Sequence, residues 1–486
     1  MSLESRGGQP ERRDVDDRDL ELAVESSRMS DGMPADVALS RRRLLATMGA
    51  GAVAGAGAFA LARPESAFAG TTGIYWDQGG AVFNVMAYGA DNTGATNTRT
   101  AIASAITAAQ SAGGGVVYFP AGTYRIDSGL SITANGITLM GAGIGATTIK
   151  AGSSFTTGDM LYFNQVRYGR VVDLTIDSTN TRTSGAGINL YGINQGGTSF
   201  AISADHIVHN VCLNNQFTGI YINDKAFLAY VDRVYITNLA AGGVGIDINT
   251  IASGAMGESQ FISNVFIQGH GSTQATMPAA GIQIRASGDF TLRSVSLTLC
   301  WIGLLINPVS GARVEAGFID DCLWDSCGNR CISITPDGTS RVRWMTFVGN
   351  WVTGAGTLDG LYLDGNTTQV TVTSCRFLFS QSYGFIANGG SEIFVDNCEA
   401  SGNSANTAYI AAGIAFAQNA SYFAARNCFT NGAWISGGPN TQAYGIRVFS
   451  GCDHYILTNN LAVNNTTSQI VEPAATNRVV ANNLTT

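Results

Sequence analysis

A short unit, glycine then apolar, any residue, apolar, recurs down the chain. It reads GINL at Gly187, GIYI at Gly219, GIDI at Gly245, GIQI at Gly281 and GLLI at Gly303. Cys331 opens the variant CISI, and GLYL, GFIA, GIAF and GIRV follow at Gly360, Gly384, Gly413 and Gly445. Successive units lie 22 to 36 residues apart. Between them runs a second strand-like pattern containing a polar turn residue, often Asn: VHNVCL, ISNVFI, IDDCLW, VGNWVT, VTSCRF, VDNCEA, ARNCFT and TNNLAV. Alternation of period two marks strands with one apolar face. A unit this short cannot bury that face alone, so neighbours must stack. Propeller blades repeat at about 40–50 residues, which is longer than the spacing here. The pattern therefore predicts an all-β fold, a single-stranded right-handed parallel β-helix of about 10–12 coils.

Composition agrees with many short strands and tight turns. The chain has 60 glycines, only 13% charged residues, and lysine only at Lys150 and Lys225. A net charge of −8 leaves no electrostatic footprint for nucleic acid. Residues 1–39 are polar and charged and read as a disordered leader. Ser40-Arg41-Arg42-Arg43-Leu44-Leu45 resembles the twin-arginine export motif, and Ala67-Phe68-Ala69 fits a small-residue cleavage site. Residues 40–69 are thus expected to be a signal peptide, with residues 70–486 as one exported domain, periplasmic or extracellular, not inserted in a membrane.

Proteins exported this way fold in a reducing compartment, so the nine cysteines do not read as a disulfide framework. Cys322, Cys375, Cys398 and Cys428 each follow the polar turn residue and are expected to stack as a buried thiol ladder. Asp321 shares its turn position with Asn210, Asn264, Asn350, Asn397 and Asn427. It therefore reads as a turn residue rather than half of an acid pair with Asp320.

Ahead of the repeats, Phe83-Asn84-Val85 reads as a strand. Residues 98–111 have helical spacing through Ile102, Ala105, Ile106 and Ala109, with Thr96 or Asn97 as cap. This capping helix is expected to cover the first coil. These segments, with Tyr88-Gly89-Ala90, Thr100-Ala101-Ile102 and the stretch from Gly113 to Tyr124, resemble the N-terminal signature of the pectate-lyase-like, right-handed parallel β-helix proteins. That family includes rhamnogalacturonase- and polygalacturonase-related enzymes and epimerase-like proteins. The resemblance runs over residues 80–486 and implies the fold. It does not select a reaction, because the fold hosts hydrolases, lyases, transferases and binding proteins.

In Gly-Ile-x-Ile the isoleucines face inward, so x and the residue after the second apolar position face outward. The outward ladder begins with Asn189 and Tyr191. Its richest stretch holds Tyr221, Asn223, Asp224, Lys225, Asp247, Asn249, Glu258, His270, Gln283 and Arg285, and Tyr362 and Asp364 continue it. Aromatic faces and amides suit a polysaccharide or oligosaccharide substrate. Hydrolysis would pair Asp247 with Asp224 or Glu258 as the two carboxyl groups, and needs no cofactor or metal. Gly269-His270-Gly271 and Ile284-Arg285 resemble polygalacturonase motifs and add His270 to that set. β-Elimination of a uronate would use Lys225, Arg285 or His270 around the C5 proton, with calcium held by Asp247, Asn249 and Asn223. The expectation is a secreted polysaccharide hydrolase, monomeric or homotrimeric. The alternatives are a calcium-assisted lyase, a fructan- or epimerase-type enzyme, and a non-catalytic glycan-binding protein.

Overall fold

The computed structural model describes residues 74–75, 81–192, 203–224, 226–252, 255–256, 259–356, 358–406, 410–433 and 440–485. The chain divides into the units Met1–Ala67 and Phe68–Thr486, and every described residue belongs to the second. The expected leader and signal peptide lie outside the described residues. No helix among the described residues is long and apolar enough to cross a membrane.

The second unit is a parallel β-solenoid. Among the described residues, 13 strands form one parallel sheet, here the front sheet, running from Leu130–Ile132 to Ser468–Val471. The Gly-apolar-x-apolar units are its rungs, and GIYI, GIDI and GIQI lie in the successive strands Thr218–Asn223, Val244–Asn249 and Ala280–Ala286. A second sheet, of 28 strands among the described residues and here the back sheet, carries the pattern between the units and supplies two further faces to the coils. Early strands cross from one of these faces to the other. Arg170–Ser178 pairs with Ile137–Gly141 through its first half and with Thr147–Ala151 through its second.

Close approach explains the recurrent glycine. A Cβ on Gly219 would lie 2.5 Å from the Gly245 carbonyl oxygen, and one on Gly245 would lie 2.5 Å from that of Gly281. The inward isoleucines Ile220, Ile222, Ile246, Ile248, Ile282 and Ile284 are fully buried, one above another.

The corner between the two back faces is a column of residues in the left-handed region. It includes Asn210 (φ 53°), Asn264 (52°), Asp321 (51°), Ser374 (55°), Asn397 (53°) and Asn427 (54°). Asn and Asp tolerate this conformation best after glycine. Asp321 is thus a corner residue, as its alignment suggested. Asn350 is not: Gly349 (φ 65°) takes the corner in that coil, and Asn350 is shifted one position inward. The inward column then reads Cys322, Asn350, Cys375, Cys398, Cys428, Asn460 and Asn483. The thiol ladder is present, with Asn350 inserted in it. Its thiols face carbonyl groups, Cys398 to Val372 at 3.6 Å and Cys428 to Val395 at 3.5 Å. Burial pushes the Cys322 thiol up to about 12 and the Cys428 thiol up to about 11, so they stay protonated.

The helix Arg99–Ser111 buries Ile102, Ala105, Ile106 and Ala109, the positions its spacing singled out. Its N-cap residue is Thr98, whose side chain makes no capping bond, while Asn97 Oδ1 accepts from the Arg99 N–H at 3.1 Å. After the helix, Gly115 (φ 138°) passes so close to the strand Ala81–Asn84 that a Cβ would lie 2.5 Å from the Ala81 carbonyl oxygen.

Asn350 is the most demanding member of the inward column. Its amide donates to the Ile319 and Val348 carbonyl oxygens at 2.8 and 3.0 Å, and its Oδ1 accepts from Trp324 Nε1 at 3.1 Å. Asn350→Ala is expected to cost about 2–4 kcal/mol in denaturant unfolding, because it strands the buried indole N–H and two carbonyl groups. Cys375→Ala in the same column should cost about 1 kcal/mol. Equal losses for the two would contradict this ranking.

Candidate functional site

The outward residues of the front sheet stand in register. Tyr162, Asn189, Tyr221, Asp247 and Gln283 form one column, and Asn164, Tyr191, Asn223 and Asn249 form the next. Adjacent rungs are about 4.8 Å apart. The columns combine ring faces, amides and carboxylates along one groove.

A β-bulge shapes the centre of this groove. The register slips between Ile248 and Asn249, so that Asn249 lies opposite Ala286 instead of Arg285. Bulges re-aim side chains, and here Arg285 turns back onto the preceding rung. Its Nε and one terminal nitrogen contact the two Asp247 carboxylate oxygens at 3.1 and 2.5 Å, a bidentate pair. The same terminal nitrogen lies 3.4 Å from the Tyr221 hydroxyl, and the guanidinium carbon lies 5.8 Å from the Tyr221 ring centroid. Asn249 donates to that hydroxyl at 3.5 Å.

Asp247 is therefore 93% buried although its side chain points outward. Burial pushes its carboxyl above the ordinary range, and the Arg285 guanidinium pulls it back down. Burial also works against the Arg285 charge, but Asp247 more than restores it and holds the guanidinium above its usual value.

A second cluster adjoins the first. Asp224 ends the strand Thr218–Asn223 and has φ 48°. Its backbone N–H donates to Asn223 Oδ1 at 2.8 Å, and its carboxyl is hydrogen-bonded by Tyr191. Burial raises the Asp224 carboxyl, and the Tyr191 bond opposes the rise. Tyr191 packs on Tyr162 with ring centroids 5.6 Å apart. Burial, followed by Tyr191, Asp159 and Asp224, pushes the Tyr162 phenol up to about 12, and burial followed by Asp224 raises Tyr191. Asn189 donates to Asp159 at 2.8 Å, while its buried Oδ1 has no partner among the described residues.

The structure thus unites Tyr221, Asp247, Asn249 and Arg285, and sets Asn223 and Asp224 beside them. Gln283 shares the Asp247 column but donates away from it, to Asn307 at 3.0 Å. Lys225 and Glu258 lie outside the described residues. His270 is exposed in the connection between Phe266–Gln268 and Ala280–Ala286. Among the described residues it makes no hydrogen bond or ion pair with Asp247 or Arg285. Tyr362 stands in the Asp247 column but four rungs on, about 19 Å away. There it carries Arg330 on its ring at 3.8 Å and accepts from Asn388 at 3.0 Å. Asp364 accepts from the Gly365 N–H at 2.9 Å, closing its own turn. Tyr162, Tyr191 and Asn189 enrich the site beyond the residues that sequence reasoning assigned to it.

Asp224 gives this geometry a measurable consequence. Its folded pKa lies above its unfolded one, so folding favours the neutral carboxyl. That stability is complete below the ordinary carboxylate range and is lost as pH rises through the folded value. Asp224→Asn, which retains an acceptor for Tyr191, is expected to raise Tm at neutral pH, with the gain vanishing in acid. A Tm difference that does not change with pH would contradict the assignment.

Comparison with known proteins gives the same architecture. The family described as rhamnogalacturonase A/epimerase, pectate lyase-like, matches residues 82–304. Mannuronan C5-epimerase AlgE3 of Azotobacter vinelandii is 40% identical over 115 residues, 21% of this chain and 6% of that protein. Alginate lyase 7 of the same organism is 39% identical over 116 residues, 21% of this chain and 13% of that protein. The chain thus spans only a small part of the length of these curated relatives. The solved A-module of Azotobacter vinelandii mannuronan C-5 epimerase AlgE6 superposes with a TM-score of 0.56 at 18% identity. That match covers 83% of this chain and 99% of the module, and it is a likeness of fold. Its stacked glycine-headed rungs form a parallel β-helix, the fold it shares with that module, and residues 82–304 are similar to the pectate-lyase-like family.

Proposed function

We propose that the chain acts on a uronate-containing polysaccharide by removing the C5 proton, as a lyase or C5-epimerase, in the front-sheet groove. One observation carries this reading: Asp247 is committed to a bidentate pair with Arg285. Glycoside hydrolysis needs one carboxyl group to protonate the leaving oxygen and another to activate water or attack. With each oxygen hydrogen-bonded to Arg285 and the group buried, Asp247 is held as an ion-pair partner rather than presented to a leaving oxygen or a water. The hydrolase, the first expectation from sequence, therefore gives way to its alternative. The local identity to proteins named as mannuronan C5-epimerases and an alginate lyase supports the same choice.

Proton abstraction at C5 needs the neighbouring uronate carboxylate neutralised. Arg285 keeps its charge and presents it beside Tyr221, with Asp247 as the positioning residue that fixes the guanidinium. Asp224, raised by burial, is the base best placed to take the proton. The Tyr162 phenol, held protonated, is a donor for the glycosidic oxygen, while Tyr191 donates to Asp224. Departure of the C4 oxygen gives an unsaturated end, and return of a proton to the opposite face gives the epimer.

The calcium alternative would draw on Asp247, Asn249 and Asn223. Asn223 Oδ1 accepts from the Asp224 N–H, and Asp247 is bound to Arg285. No step is assigned to the ion. Export through the segment 40–69 belongs to this reading, because a polysaccharide substrate lies outside the cytoplasm.

The test is a time course on polymannuronate that follows unsaturated-product absorbance, C5 configuration and reducing ends together. Absorbance or inversion is expected. Arg285→Ala should lower kcat/KM about a hundredfold or more, and Asp224→Asn should abolish turnover. Reducing ends without absorbance would overturn the reading in favour of hydrolysis.

A further inference from the structure

The back sheet carries a second groove that the front-sheet chemistry does not use. It is lined by Ala316, Phe318, Trp344, Thr346, Gln369, Thr371, Glu392 and Phe394 and encloses about 400 Å³. Two columns build it. Phe318, Thr346, Thr371 and Phe394 lie in register on successive strands, all facing outward. Alongside, Ala316, Trp344, Gln369 and Glu392 occupy the next corner with φ between 48° and 58° and line the groove together with the first column. Phe318 is 55% exposed, Trp344 46% and Phe394 37%. Arg343 stacks on the Trp344 ring at 3.8 Å and is held from behind by Glu315 at 2.9 Å, so the indole is braced.

We propose that this groove holds an extended polysaccharide chain, as an anchoring surface separate from the reaction groove. Rungs repeat at about 4.8 Å, close to the advance of one pyranose along an extended chain. Phe318 and Phe394 stand three rungs apart, about 14 Å. The hydroxyl and amide groups of Thr346, Thr371 and Gln369 fill the interval between the rings. Rings that stack on sugar faces, separated by groups that bind sugar hydroxyls, recognise an extended glycan. A contact between copies of the chain would instead place apolar side chains at the centre and polar ones at the rim. Here the centre is polar and the ends are aromatic. The inference rests on the polysaccharide reading of the protein, but not on the residues that perform the reaction.

The test is affinity electrophoresis of the full chain in gels containing polymannuronate or a neutral β-glucan, with sedimentation and turnover measured in parallel. The Phe318→Ser/Trp344→Ser double variant alters exposed side chains and is expected to keep its unfolding temperature. It should lose about tenfold in apparent affinity for the retarding polymer. Trp344→Tyr should retain most of the retardation, and turnover of a short oligouronate should be unchanged in both. Retardation of the double variant equal to wild type would overturn the proposal. So would a wild-type chain that neither polymer retards, or a mass that falls to that of one chain in the double variant with retardation unchanged. If no uronate is turned over while retardation is present and lost in the double variant, the groove stands and only the proposed reaction fails.

Discussion

Everything in this molecule depends on parallel rungs stacked in register. The hydrogen-bonded ladder fixes which residue of one coil lies over which residue of the next, over the whole length of the solenoid. Inward, the register makes columns of like residues: isoleucine at the front sheet, and thiol and amide where two back faces meet. Outward, it converts chemistry scattered across a hundred residues of sequence into contiguous grooves. Tyr162 and Gln283 are far apart in the chain and share one column.

Departures from the register are then the informative places. The bulge at Asn249 brings Arg285 onto Asp247 and creates the central ion pair of the groove. In an unslipped register Arg285 would stand opposite Asn249 instead. The pair costs desolvation on both sides and is retained through its two hydrogen bonds. Its geometric effect is to fix a guanidinium beside the Tyr221 hydroxyl. At Gly349 the register is unbroken: glycine takes the corner in place of Asp321, and Asn350, in the column of Cys322 and Cys375, points into the core to meet Trp324.

The repeat was legible because a rung start admits only a residue that tolerates the next carbonyl group at contact distance, and glycine serves there in nine of the ten units. Period-two alternation then gave the inward and outward faces, including Tyr221, Asp247 and Gln283 in one column. The Asp247–Arg285 pair was not legible, since a single-residue slip leaves no mark in an alternating pattern. Tyr162 was missed because its strand, Leu161–Asn164, lacks the leading glycine, although LYFN has the alternation of INLY. The burial of Asp247 could not be read either, because it comes from side chains reaching across rungs. The back-sheet groove is carried by an outward column of the second pattern, whose corner residues, Trp344 and Gln369 among them, follow no composition rule.

The most direct measurement is isotopic. Polymannuronate is treated with the purified protein in heavy water, and separately in water enriched in heavy oxygen, and the products are read by NMR and mass spectrometry. Removal of the C5 proton in the front groove predicts loss of C5 hydrogen or its replacement by deuterium, with no heavy oxygen in new chain ends. Heavy oxygen at new reducing ends with the C5 hydrogen untouched would contradict it, and would mean that a carboxylate in this groove is free to activate water.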